Sequence, residues 1–245
     1  MVTLKLLHMY SNMLDLYGDN GNVEILKYRC RLRGIELEAA QHFIGDKDTD
    51  FDNQDIIYFG GGADVEQQLL VNDLLSYREN IKSAYKNGVF LFMICGGYQL
   101  MGQYYKDSND KKIEGLGLFD YYTIASTNKH CRCIGNVILE SYLNGENYRV
   151  IGFENHGGQT KGVKTPFGKV LYGNGNEFKS EADGYMEKNV IATYLHGPLL
   201  SKNPKVADYI ISYTMSRKTG SVFVPQPVND KFEEECRKQL FERIL

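Results

Sequence analysis

The sequence predicts an α/β fold: a mostly parallel central sheet flanked by helices, with some antiparallel additions. Three observations carry that expectation. Val89–Ile94 is a run of six apolar residues with β-forming bias, which suits a strand buried on both faces. Through the first hundred residues such runs alternate with helical patterns, as in βαβ units with right-handed crossovers. In the second half, short strand candidates are separated by turns rich in glycine and asparagine, which points to antiparallel pairing.

Leu4–Tyr10 reads as the first strand. Gly21 opens a helix towards Arg33, and Gly34 is placed to end it in a left-handed conformation. Ile35–Phe43 alternates as a second strand, and Asp55–Phe59 is a third that ends in Gly60-Gly61-Gly62. Val65–Lys86 reads as helical, and Asn87-Gly88 turns the chain into Val89–Ile94. From Tyr98 onwards, Leu100, Met101, Tyr104 and Tyr105 recur at helical spacing. Thr123–Ala125, Val137–Leu139, Val150–Phe153, Lys169–Tyr172 and Val190–Tyr194 are short strand candidates. Pro204–Arg217 is a helix with Val206, Ala207, Ile210, Ile211 and Met215 on one face. Ser221–Asp230 is a loop, and Lys231–Leu245 is a charged terminal helix prone to fraying. No repeat or linker interrupts the chain, so residues 1–245 read as one domain, with a core over residues 4–217.

Composition narrows the class of function. The chain has 245 residues, 42% hydrophobic and 24% charged, which is ordinary for a globular α/β domain. A net charge of −3 offers no strong field for nucleic acid or an acidic membrane surface. The 18 tyrosines do not interleave with a basic patch. No apolar run approaches about 18 residues, so no transmembrane helix is expected. The N-terminus does not read as a signal peptide, because Lys5 lies within the apolar run and no cleavage site follows. The five cysteines are scattered and odd in number, which argues against a disulfide framework and for a reducing cytoplasm.

The chemistry is expected where Val89–Ile94 ends. Cys95 stands there, followed by Gly96-Gly97 and a helical pattern. A cysteine on a sharp strand-to-helix turn is a nucleophile elbow built with sulfur. The helix beginning behind it points N–H groups at the thiol and favours thiolate. A buried structural cysteine is the plainer alternative. Val190–Leu195 would deliver His196 to the same sheet edge, where Gly197-Pro198 stop the strand. Cysteine and histidine at neighbouring strand ends form a nucleophile–base pair. Gly60-Gly61-Gly62 lacks the Lys-Ser/Thr of a nucleotide loop. An oxyanion hole fits it better, with N–H groups from Gly62 and Gly96. Gly152–Gly158 packs Glu154, Asn155 and His156 between glycines and reads as a loop facing the site. His156 lies on a turn in that reading and takes an orienting role. His130-Cys131-Arg132-Cys133 has Cys-x-Cys spacing but no second cysteine pair, so no metal site is expected.

These motifs together resemble the class I glutamine amidotransferases. Ile94-Cys95-Gly96-Gly97-Tyr98-Gln99 and the downstream His196 carry the resemblance, which is nearest to the branch that includes cobyric acid synthase. Gly60–Gln67, Gly152–Gly158 and Tyr194–Pro198 are similar to the glutaminase subunits of lipid II isoglutaminyl synthases, enzymes that amidate the cell wall. The resemblance runs from Leu4 to Asp208 and implies a flavodoxin-like fold. It makes Cys95 the nucleophile, His196 the base and Arg132 a contact to substrate glutamine. Gly62, Gly96, Gln99, Asn155 and His156 join the substrate site. It implies no cofactor on this chain. ATP and Mg belong to a Mur-ligase-like partner, in a heterodimer that amidates the α-carboxyl of D-glutamate in the lipid II stem peptide. The work would take place in the cytoplasm, at the inner face of the membrane through the lipid-linked substrate. Most class I glutaminases have Glu two residues after the histidine, but position 198 is proline here. The third catalytic group is therefore expected from the partner chain, so that forming the complex would switch the site on. A glutaminase of a corrinoid-type synthase, a different cysteine hydrolase and a non-catalytic binding subunit are the competing readings.

Overall fold

The computed structural model describes residues 2–245. Its first half follows the expected alternation. Strand β1 (Thr3–Met9) leads through a turn to helix α1 (Gly21–Arg31), followed by β2 (Glu36–His42) and β3 (Ile56–Phe59). Helices α2 (Asp64–Ser76) and α3 (Arg78–Lys86) then return the chain to β4 (Phe90–Ile94), and α4 (Gly96–Met101) starts directly behind it. The stretch Val65–Lys86 is two helices because Tyr77 leaves the helical region, with φ −101° and ψ 11°. Gly34 is left-handed, with φ +68°, and α1 stops three residues before it.

The second half contains more strand than the sequence pattern marks. It comprises β5 (Tyr104–Lys106), β6 (Lys112–Glu114), β7 (Tyr122–Ala125), β8 (Cys133–Leu143), β9 (Glu146–His156), β10 (Gly158–Lys161), β11 (Gly168–Tyr172), β12 (Ala182–Asp183), β13 (Tyr185–Glu187) and β14 (Val190–Thr193). The helical reading of Tyr104 and Tyr105 is wrong, since Gly102 is extended and ends α4. The expected fragments Val137–Leu139 and Val150–Phe153 are the buried middles of β8 and β9. These pair antiparallel from Cys133↔His156 to Leu143↔Glu146. Their hairpin turns on Asn144-Gly145, both at positive φ, as tight hairpins prefer. Polar residues at both ends of the hairpin hide its length from a hydrophobicity reading.

The main sheet has the order β13-β14-β4-β3-β1-β2. All neighbours pair in parallel except the edge strand β13. Every residue of β3, β4 and β14 is buried, as expected for strands covered on both faces. Without β13 the order is flavodoxin-like, which places ligands outside the carboxyl ends of the strands, where β1 and β3 diverge. Two smaller sheets, β10-β7-β5-β6 and β12-β11-β8-β9, complete the molecule. Helices α5 (Leu199–Lys202) and α6 (Pro204–Thr219) pack with α1.

The terminal helix α7 (Lys231–Ile244) is docked on the body of the domain. Arg237, only 3% exposed, donates to the carbonyls of Lys202 (2.8 Å) and Arg149 (2.6 Å) and to Asn203 Oδ1 (2.8 Å). Its guanidinium lies 4.3 Å from the Tyr148 ring centroid. Arg29 ties the approach to α7, pairing with both Asp208 and Asp230. Removing Arg237 takes its donors from the part-buried Lys202 and Arg149 carbonyls, and each hydrogen bond lost typically costs about 0.5–1.5 kcal/mol. Arg237→Ala should therefore lower the melting temperature clearly. Phe232→Ala, at a side chain that is 84% exposed, should leave it nearly unchanged; equal shifts in a thermal melt would contradict the docking.

Candidate active site

Four loops at the carboxyl ends of β1, β3, β4 and β14 meet at one point. Cys95 is the first residue beyond β4 and the N-cap of α4, with φ +47° and ψ −99°. A non-glycine residue held there carries backbone strain of about 1–3 kcal/mol, so the surroundings must impose it. One restraint is the Cys95 N–H, which donates to the Thr193 carbonyl (2.8 Å) on the neighbouring β14. The thiol is 4% exposed. Behind it the backbones of Gly96 and Gly62 nearly touch: a Cβ on Gly96 would lie 2.7 Å from Gly62 O and 2.9 Å from Gly62 N. Gln67 Nε2 bonds Gly62 O (3.2 Å) and Gln99 Oε1 (2.8 Å), which fixes this loop against α4.

His196 lies three residues beyond β14 and is pinned to β9 by a two-way bridge with Phe153 (2.8 and 3.3 Å). Its Nδ1 is 2.8 Å from Asp19 Oδ2, and both side chains are completely buried. The expectation that the partner chain supplies the orienting carboxylate is thereby overturned. Asp19 belongs to this chain and reaches His196 from the loop after β1. The same oxygen accepts the Gly61 N–H (2.9 Å), and the Asp19 carbonyl accepts from Tyr58 Oη (2.7 Å). Gly61 has to be glycine, because a Cβ would stand 2.5 Å from His196 Cε1 and 2.8 Å from Asp19 Oδ2. With Nδ1 committed to Asp19, His196 Nε2 has no partner among the described residues and is free for proton exchange with the thiol. Burial opposes the imidazolium. The attraction of the neighbouring Cys95 sulfur and the hydrogen bond to Asp19 outweigh it and raise His196 from 6.5 to about 10.

Cys95 opens into a cavity of about 780 Å³, whose lining includes Gly62, Gln99, Arg132, Asn155 and His156. The sequence-predicted residues thus come together, with Gly96 and His196 lying just behind the wall. Arg132 precedes β8 and donates through Nε (3.0 Å) and Nη2 (2.7 Å) to Asn155 Oδ1. Asn155 Nδ2 in turn donates to Tyr17 Oη. His156 is the last residue of β9 and does not lie on a turn. Its Nδ1 bonds the Gly158 carbonyl (2.7 Å), and its ring stacks on Tyr194 at 3.6 Å. Gln99 Nε2 donates to the same tyrosine hydroxyl (3.2 Å). Asp19 and Tyr17 were missed in the sequence. Tyr17-Gly18-Asp19 carries no periodicity, and its polar turn looks like any loop.

Among the described residues, donor atoms of Cys133, Glu154 and His156 lie within 4.8 Å of one another. The Glu154 carboxylate is already engaged by the N–H groups of Asn174 and Gly175 and by Asn174 Nδ2. Burial, together with Glu154, pushes the Cys133 thiol up to about 12. The trio is therefore a buried polar cluster with a neutral thiol, at the cavity wall that His156 lines.

This is the fold of a class I glutamine amidotransferase. The glutaminase domain of Trypanosoma brucei CTPS, solved with acivicin bound, superposes with a TM-score of 0.52 at 12% identity. The match covers 92% of this chain and 97% of that one. The chain belongs to the CobB/CobQ-like glutamine amidotransferase domain family, which matches residues 5–204. It is 39% identical to the GatD subunit of lipid II isoglutaminyl synthase (glutamine-hydrolyzing) from Streptococcus pneumoniae, over 96% of this chain and 90% of that protein. The GatD of Staphylococcus aureus is 36% identical, over 98% and 96% respectively. No described helix is long and apolar enough to cross a membrane.

The His196 shift predicts a pH dependence of stability. A basic group raised on folding stabilises most below its unfolded value, and that contribution disappears as pH climbs through the folded value. Thermal stability should therefore fall between pH 6.5 and 10 through this group. His196→Gln should flatten that part of the profile, and an identical slope in wild type and variant would contradict the assignment.

Proposed function

We propose that this chain is the glutaminase subunit of a lipid II isoglutaminyl synthase and that residues 1–245 act as one amidotransferase domain. One observation carries the chemistry: the buried Asp19–His196 pair beside Cys95, whose side chain opens into a cavity that Arg132 also lines. The near full-length similarity to two GatD subunits supports the choice of substrate pathway.

In this reading His196 Nε2 takes the Cys95 proton and the sulfur attacks the side-chain amide of glutamine. Asp19 holds the tautomer that exposes Nε2 and stabilises the imidazolium. The N–H groups of Gly62 and Gly96 receive the oxyanion; one such donor is typically worth about 3 kcal/mol. Arg132, set by Asn155, holds the substrate carboxylate. Protonated His196 gives its proton to departing ammonia, and water cleaves the glutamyl thioester. Ammonia then passes to an ATP-dependent, Mur-ligase-like partner in a heterodimer, where the α-carboxyl of D-glutamate in the lipid II stem peptide is amidated. ATP and Mg are bound by that partner. The complex works in the cytoplasm at the inner membrane face, where the lipid-linked substrate lies.

Cys95→Ala should abolish glutamine-dependent amidation by the complex while high ammonium still supports it; failure of the ammonium rescue would break this division of labour. Because Asp19 belongs to this chain, the chain alone should release glutamate from glutamine. Asp19→Asn should lower that rate by about a hundredfold or more. No Cys95-dependent release without a partner would return the activating switch to the complex.

A further inference from the structure

Tyr17 touches both halves of the site and belongs to neither. It sits in a short turn, Leu16–Gly18, with φ +58° and ψ +25°, a left-handed conformation that bulky residues rarely adopt. Such an outlier persists only where its surroundings demand it. The turn is tied down on either side: Leu16 N–H donates to Gly61 O (3.0 Å), and Asp19 two residues on accepts from Gly61 N–H and holds His196. From this turn the Tyr17 ring lies 5.0 Å from the His196 ring and 5.4 Å from Phe153, centroid to centroid. Its hydroxyl accepts from Asn155 Nδ2, which turns Asn155 Oδ1 towards Arg132. Tyr17 remains 45% exposed although it lines the same cavity as Cys95 and Arg132. A residue with no more than a packing role would not need a strained backbone to keep a half-exposed ring at this place.

We propose that Tyr17 is a positioning residue that couples the glutamine-holding group to the base. Its hydroxyl fixes the Asn155 amide and through it Arg132, and its ring backs the His196 imidazole. This inference rests on the roles of Arg132 and His196 given above. The two contacts belong to different parts of one side chain, so they separate in different variants. Tyr17→Phe keeps the ring and loses only the link to Asn155. Tyr17→Asn tolerates the left-handed backbone, so the turn survives while the ring is removed.

The test is steady-state glutamine hydrolysis by the full chain, alone and with its partner, with thermal melts to establish folding. Tyr17→Phe should raise KM for glutamine by about tenfold with a smaller fall in kcat, the signature of lost ground-state binding. Tyr17→Asn should raise KM similarly and lower kcat by about a further tenfold, because the base loses its backing. Wild-type KM in Tyr17→Phe, or equal kcat in both variants, overturns the coupling. Cys95→Ala run alongside separates the two failures. If it is inactive, normal Tyr17 variants refute this inference alone. If it still hydrolyses glutamine, the proposed function fails and this inference fails with it.

Discussion

The contact between His196 and Asp19 organises this end of the molecule. A fully buried carboxylate is costly unless its oxygens find donors. Asp19 Oδ2 finds two, the His196 ring and the Gly61 N–H, whereas the buried Oδ1 has none among the described residues. Meeting that requirement draws together the loops after β1, β3 and β14, and it excludes any side chain at Gly61. Cys95 projects from β4, which lies between β14 and β3 in the sheet. Its thiol is thus delivered towards the unpaired nitrogen of an imidazole whose other nitrogen is already fixed. The parallel sheet supplies proximity, and the buried pair supplies orientation.

The β8–β9 hairpin supplies the opposite wall. Its register places Cys133 across from His156 and Ile134 across from Asn155, so Arg132 emerges beside the asparagine that holds it. The same strand β9 bridges through Phe153 to His196. The wall that presents Arg132 and the loop that presents the base are therefore continuous in hydrogen bonding. Behind them, Tyr194 packs flat on His156 and its hydroxyl bonds Gln99 and Thr160, a buried network that makes this wall stiff.

The elements legible in sequence were those with a strong local signal. The apolar strand before Cys95, the glycines that follow it, His196 closing its strand, and the helix read as Pro204–Arg217 could all be read directly. Burial on both faces writes itself as an unbroken apolar run, and a tight elbow writes itself as glycine. The weakly apolar strands β5, β6, β10, β12 and β13 and the full length of β8 and β9 were not legible. Several carry polar residues that are buried in hydrogen bonds only the fold supplies, such as Asp183 with Thr193 and Thr160 with Thr123. The docked α7 belongs with them, because Arg237 looks like any surface charge until its acceptors are in place.

The sequence by itself determined the α/β class, the cysteine elbow and the histidine that serves the same sheet edge, since each is encoded within a few neighbouring residues. Only the tertiary structure decided which carboxylate orients that histidine. Asp19 and His196 are separated by 177 positions, and a buried charge chooses its partner by proximity in the folded chain. No local pattern around Tyr17-Gly18-Asp19 records which strand end will arrive beside it.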